Sequence, residues 1–481
     1  MQGDVTWRLV AVPLTPIHVG DGSVLAAEEW RLGRDGRLER FSPAAVLRTA
    51  PEKTRAAYVR ALEQGRLTEA QSLLRSAVRE EHVLERIAVG AAARQELEDT
   101  VNNPLRRGDI RPMVRTGGRP YLPGSSLKGA LRTGLLSSLV DDAKRPEIER
   151  IKEVHRERAR QEAERRGRQP RGNVPSTASN EVQALLLQHR NPDQDPFRFV
   201  EVADLPLPPD STRIDRVVNW RPTRLTRKGE QPAEKMQMIF EVTNCAAVGS
   251  PLPLPCEIRI EAGALREARK RDPVGRKTPR FPLDAQGLAR AVNAFHWKLW
   301  DYELTRFFAG ETDIEKTLQS LVQVKAPDGT LLGPEALRQR TDVLLLRLGR
   351  FGQFESKSLE GVREGWNAQA EPPRPMKEGN TRNLVKPGGT APLLPLGWLL
   401  LLPEGFELQP APAAATAAAT GPRAAATAPS NGPRAAAEGP ARQAFYAGEE
   451  VRIVRRERGE VLIEFAGGDT EWVQESELEY R

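Results

Sequence analysis

Few side chains in this sequence have the type and spacing for covalent chemistry. Ser125-x-x-Lys128 has the spacing of a serine activated by a lysine. No Lys-Thr-Gly or Ser-Asp-Asn triplet accompanies it, and the N-terminus has no export signal, so acyl transfer lacks its context. His18 is the sole histidine of the first 80 residues. As a general base attacking through an RNA 2′-hydroxyl it would need a partner, for which Lys128 is the visible candidate. The plainer expectation is a ring packed beside a turn. Cys245 and Cys256 stand eleven positions apart without a Cys-x-x-Cys or Cys/His cluster, which excludes a zinc motif and a disulfide scaffold. No cofactor motif is present.

Anion binding is better represented. Pro120–Gly134 (Pro-Tyr-Leu-Pro-Gly-Ser-Ser-Leu-Lys-Gly-Ala-Leu-Arg-Thr-Gly) predicts a turn entering a helix, with Leu127, Leu131 and Leu135 at helical spacing. Ser125 or Ser126 is expected to cap it, and the unpaired N–H groups of a helix start attract phosphate. Lys128 and Arg132 lie one turn apart beside that start. From Arg106 to Arg132 there are seven basic residues and one acid, a local charge of +6 in a chain of net charge +7. Such a stripe suits a phosphate backbone. Trp220–Glu230 predicts a basic connector between two strands, in which Arg221, Arg224, Arg227 and Lys228 would grip a backbone while Trp220 wedges between bases. Gly349-Arg350-Phe351-Gly352 follows an apolar strand and lets the chain approach a ligand closely. It is neither a Walker loop nor a dinucleotide fingerprint.

The positioning elements follow from periodicity. Val5–Val12 predicts a strand running into an irregular, surface-exposed turn at Leu14–Gly22, then a hairpin at Glu28–Leu32 and Arg37–Phe41. Residues 43–99 read as helical, and 141–171 as a charged helix. Asp195–Asp204, Arg213–Asn219, Lys235–Thr243 and Cys256–Glu261 read as strands. Phe281–Gly310 reads as a helix whose core is Phe295, Trp297, Leu299, Trp300 and Phe307.

With 481 residues and 53.3 kDa, two or three units are expected: a core over 1–407 with helical insertions at about 43–99 and 141–190, an Ala/Pro-rich linker over 408–442, and a small β domain over 443–481. The longest apolar run, Leu393–Leu402, is broken by Pro395 and Gly397, so no membrane partner and a cytoplasmic location are expected.

Four segments together resemble the RAMP superfamily of CRISPR-associated proteins: Leu14-Thr15-Pro16-Ile17-His18-Val19-Gly20, Pro123–Arg132, Gly349–Leu359, and Thr381-Arg382 ahead of Pro395-Leu396-Gly397-Trp398. Their order most resembles the Csm subunit of type III-A effector complexes that caps the 3′ end of the guide RNA, over roughly Val5 to Glu407. The resemblance implies an α+β fold: a ferredoxin-like (RRM/RAMP) core with helical insertions, to which the C-terminal residues would add a small SH3-like β-barrel. It implies a non-catalytic crRNA-binding role, with His18, Gly124, Ser125, Ser126, Lys128 and Arg132 in the early motifs. Gly349, Arg350, Gly352, Lys357 and Arg382 would contribute from the later ones. The basic connector would be a thumb pushed into the guide–target duplex. Implied partners are crRNA, target RNA and the other Csm or RAMP subunits, with host maturation nucleases as a further candidate. The alternatives are a RAMP-family RNA-processing endoribonuclease or another backbone subunit. Two departures stand out: the RNP1 aromatics are missing, and the charged helix is longer than the fold requires.

Overall fold

A computed structural model describes residues 3–102, 108–167, 176–222, 235–367, 374–388 and 391–409, together with the backbone of five short strands between 444 and 480. Two compact units result, Met1–Thr416 and Ala417–Arg481.

The first unit is a mixed α/β fold. Along the chain come β1 (Val5–Pro13), α1 (Gly124–Ser138), β2 (Val200–Val202), β3 (Leu254–Ile260), α2 (Ala285–Glu303), β4 (Leu344–Arg347) and β5 (Trp398–Pro403). The strands form one sheet in the order β4-β5-β1-β3-β2 with every pairing antiparallel. In β3, Leu254, Cys256, Ile258 and Ile260 are buried while Pro255, Glu257 and Arg259 face solvent, the alternation of a one-sided strand. In β4 and β5 that alternation vanishes, because Leu344–Leu346 and Leu399–Leu402 are buried on both faces. One face packs on α1 and α2 through Leu127, Leu131, Leu288 and Val292. The other carries Trp398 and Leu400 against Trp300, Phe307 and Phe308.

A second sheet runs Leu394–Pro395, Arg382–Lys386, Thr212–Trp220, Val83–Val89, Leu38–Phe41 and Trp30–Leu32, with Lys235–Thr243 on the opposite edge of Thr212–Trp220. The predicted hairpin and the pairing of Thr212–Trp220 with Lys235–Thr243 are present. Residues 43–99 are not wholly helical. Helices Pro43–Thr49, Glu52–Glu63 and Leu67–Ala77 are followed by the strand Val83–Val89, which joins Leu38–Phe41 to Thr212–Trp220. Its Glu85-Arg86 pair looks helical by composition, but sheet pairing on both edges decides. Within Asp195–Asp204 only Val200–Val202 is strand, since Pro196–Phe199 form a 3-10 turn capped by Asp195. The charged helix spans Arg145–Arg165, and a second helix, Ser176–Leu186, follows within the expected insertion.

The turn after β1 is irregular but not surface-exposed: Leu14 to His18 are buried. It is stitched on all sides. Leu14 N–H donates to the Trp398 carbonyl (2.9 Å), Ile17 N–H to Thr243 Oγ1 (3.1 Å) and Gly397 N–H to the Pro16 carbonyl (2.9 Å).

The second unit's strands form one antiparallel sheet in the order Thr470–Gln474, Glu460–Glu464, Glu449–Glu457, Ala444–Tyr446, Glu479–Tyr480. Three strands were expected there and five are described. Apart from Leu408 and Gln409, the Ala/Pro-rich segment lies outside the described residues.

Candidate nucleic-acid interface

Three of the sequence motifs converge on one cavity of about 460 Å³. From the turn after β1 come Val19 and Gly20; from α1, Ser126, Gly129 and Thr133; from the segment after β4, Gly349, Arg350, Ser356 and Lys357. The α1 residues recur at i, i+3 and i+7, so a small, hydroxyl-bearing stripe of one helix face forms a wall. No carboxylate lines the cavity, and the exposed cations on it are Arg350 and Lys357.

The glycine-rich segment is bent onto the turn by its backbone. Gly349 has φ 86°, and a Cβ there would lie 2.6 Å from the His18 carbonyl oxygen. That same oxygen accepts from Arg350 N–H at 2.9 Å. Only glycine meets both demands. The Arg350 guanidinium then stands 5.8 Å from the ring centres of Phe240 and Phe351. Lys357 Nζ donates to the Arg350 carbonyl (3.0 Å), and partial desolvation, with Arg347 and Arg350 nearby, lowers its pKa. A lysine so placed has every reason to accept an anion. Gly352 is buried, its carbonyl accepting from Ser356 Oγ.

His18 contributes through its backbone. Its ring is 2 % exposed, Nδ1–H donates to the Glu241 carbonyl at 2.7 Å, and Phe240 packs edge-on. Burial pushes its pKa down to about 4, so the ring is neutral and enclosed near pH 7. A role as a side-chain contact to RNA, or as an exposed general base, does not fit this position.

The expected seat at the start of α1 is already filled. Gly124 N–H donates to Asp204 Oδ1 at 2.7 Å, so a carboxylate of the protein occupies the helix terminus. Neither serine caps the helix; the N-cap is Pro123. Gly124 is there for packing, since a Cβ would lie 2.2 Å from the Val202 carbonyl oxygen. Ser125 is exposed and Ser126 turns to the cavity.

Lys128 and Arg132 are not on the cavity wall. Arg132 is bound to Asp195 (2.8 Å) and Gln183 (2.7 Å) and stacks on Phe197, while desolvation and the neighbouring Arg132 lower the Lys128 pKa against the pull of Asp195. The basic stripe is similarly spent in part. Arg115 is locked between Glu241 (2.7 Å) and Glu85 (2.9 Å), and Arg106 and Arg107 lie outside the described residues. Arg382 is 1 % exposed and ion-paired, so it offers no surface contact.

Of the connector, Arg221 is half-buried, whereas Arg224, Arg227 and Lys228 lie outside the described residues. Trp220 is not a wedge: it is 8 % exposed and stacked on Phe308.

Beneath the cavity lies a charged cluster that sequence reading did not anticipate. Glu303 at the end of α2 receives Arg347 Nη1 (2.5 Å), Arg382 Nε (2.8 Å) and Trp398 Nε1 (2.9 Å). Arg382 also reaches Glu355 (3.4 Å) and lies 3.5 Å above the Phe307 ring centre. Against the cost of burial, Arg382 and the Gly379 amide hold the Glu355 carboxyl below its usual range. Only the sequence signal of buried-looking neighbours around Arg347 could have hinted at it.

Among the described residues no group of three or more His, Cys, Asp or Glu is placed to hold a metal ion, and no helix is long and apolar enough to cross a membrane. Cys245 and Cys256 are free and buried, with thiols pushed up to about 12 by desolvation.

Comparison with known proteins places this architecture. A model of the RAMP superfamily matches residues 11–322. The protein described as CRISPR system Cms protein Csm5, from Streptococcus thermophilus, is 27% identical over 141 residues, 28% of this chain and 38% of that protein. The match therefore spans well under half of that relative's length. A chain from a cryo-EM structure of a Csm-crRNA-target RNA ternary complex of a type III-A CRISPR-Cas system shares the fold, with a TM-score of 0.51 at 17% identity over 82% of this chain and 100% of that one. The crystal structure of T. onnurineus Csm5 gives a TM-score of 0.46 at 16% identity, over 81% and 99%. Since the family model covers well over half of the residues, including the end of β1 and all of α1 and α2, the chain belongs to the RAMP superfamily.

Proposed function

We propose that this chain is a non-catalytic crRNA-binding subunit of a type III-A (Csm) ribonucleoprotein effector complex, capping the crRNA 3′ end. The observation that carries the reading is the cavity where the turn after β1, α1 and the glycine-rich segment meet, with Arg350 and Lys357 on it and no carboxylate. A phosphodiester needs cations and neutral donors close to an approachable backbone, and these residues supply all three. The order of β5, β1, β3 and β2 supports a ferredoxin-like core, with β4 added outside β5. The five C-terminal strands are compatible with an SH3-like module. Partners on this reading are crRNA, target RNA and the other Csm subunits, with maturation nucleases as transient visitors, in the cytoplasm. Absence of turnover is supported by the enclosure of His18.

The test is fluorescence anisotropy of a labelled single-stranded RNA against the full chain from about 50 to 200 mM salt. Affinity should fall linearly on logarithmic axes, the RNA should stay intact, and the chain should comigrate with the other Csm subunits and a guide. A salt-independent affinity, or cleavage abolished by His18→Ala, would overturn the proposal.

A further inference from the structure

We infer that Glu355, paired with Arg382, is a positioning residue for the RNA-binding edge of the cavity: it fixes the turn from which Ser356 and Lys357 face the ligand, without touching RNA itself. The inference rests on the RNA-binding reading above.

The turn's other hydrogen bonds are local, from Ser356 Oγ to the Gly352 carbonyl, Ser358 Oγ to the Phe354 carbonyl and Lys357 Nζ to the Arg350 carbonyl. It is a three-residue 3-10 turn, Glu355–Lys357, entered through Gly352 and through Gln353 at φ 70°. A segment this short, bearing a left-handed non-glycine residue, does not hold its shape by propensity. The Glu355 side chain ties it to a distant part of the chain: it is 3 % exposed, and its Oε1 accepts from Gly379 N–H (3.0 Å) and meets Arg382 (3.4 Å). Glu355 Oε2 is buried without a hydrogen-bond partner. The charge is therefore retained at a cost, with one carboxylate oxygen left unpaired in the interior.

The cluster also ties three elements to one point. Arg347 ends β4, Glu303 ends α2, and Arg382 starts a strand of the second sheet. Two arginines and two carboxylates make it neutral, so it adds no field of its own at the cavity. Its output is geometric: Glu355 points down into the cluster while the next two residues line the cavity above. Just beyond Glu303, the π-helical turn Leu304–Phe308 brings Phe307 under Arg382, which fixes the guanidinium plane.

The experiment compares the salt dependence of single-stranded RNA binding by the full chain in E355Q, K357A and the double variant. The amide of E355Q keeps the shape and can still accept from Gly379, but loses the charge that holds Arg382. Lys357→Ala should reduce the slope by about 0.7, the share of one single-strand phosphate contact. Glu355→Gln should reduce it in the same direction and weaken binding about tenfold. The double variant should be no worse than K357A, because the two changes act on one contact. Asp215→Asn, which disturbs a buried pair with Arg213 on the second sheet, is the control for stability alone: it should lower Tm and leave the slope unchanged. If E355Q fails to fold, R382K carries the same comparison. A wild-type slope in the folded E355Q variant, or additive losses in the double variant, overturns this inference alone. Absence of RNA binding by the unaltered chain overturns the RNA-binding reading with it.

Discussion

Arg350 and Lys357 are exposed on a cavity whose lining residues include no carboxylate. Arg115, Arg132 and Arg382 are bound to acids inside the protein. Neutralising each set should therefore give opposite signatures. Arg350→Ala with Lys357→Ala should weaken RNA binding and flatten its salt dependence at unchanged Tm, measured by anisotropy and differential scanning calorimetry. Arg382→Met should instead cost stability, about 3–5 kcal/mol by urea denaturation, because Glu303 and Glu355 are left buried with less compensation. The histidines make a pH prediction. His18 and His296 are both held at about 4 by desolvation, so the folded state binds fewer protons than the unfolded chain below pH 6.5. Stability should be complete above that pH and fall as pH drops toward 4, by about 1.4 kcal/mol per pH unit for each histidine. Denaturant midpoints between pH 7 and pH 5 check it, and His18→Gln should remove part of the slope.

At the level of elements, what the sequence revealed depended on whether the determinant was local. The Gly349–Gly352 segment and the leucine spacing of α1 are local, and the structure contains both as expected. Asp204, which fills the start of α1, lies 80 residues from Gly124, and no reading of Pro-Gly-Ser-Ser could announce it. Arg382 and Trp220 were assigned to surface contacts by residue type, yet type does not reveal burial, and both sit in the interior. Ser356 and Thr133 were overlooked because hydroxyls are common; only the fold brings them to the same cavity. Val83–Val89 was lost to helical composition and recovered by pairing on both edges. The strand Thr212–Trp220 is hydrogen-bonded on both sides, to Lys235–Thr243 and to Arg382–Lys386. Replacing residues 223–234 by a short Gly-Ser linker should hence preserve the fold by circular dichroism while weakening RNA binding, since it deletes Arg224, Arg227 and Lys228.

For the molecule as a whole, charge is unevenly shared. Residues 444–481 contain ten acidic and five basic residues, although the chain is basic overall. An acidic module does not add affinity for a polyanion. Ending the chain after residue 409 should accordingly leave a folded first unit that binds RNA at least as tightly as the full chain, measured by the same titration.

β1 has one further consequence, for synthesis. Val5 pairs with Ile260, and Pro13 with Leu399, so the first strand made waits for one neighbour from mid-chain and another from near the end of the first unit. Contacts this distant in sequence form slowly, and a growing chain exposes β1 until they arrive. The Gly20, Thr133 and Lys357 walls of the cavity likewise come from three separate segments, so the cavity is incomplete until residue 357 has been made. A chain stopped short of Lys357 therefore lacks the assembled cavity, and whatever ligand the cavity takes is held only after that point in synthesis.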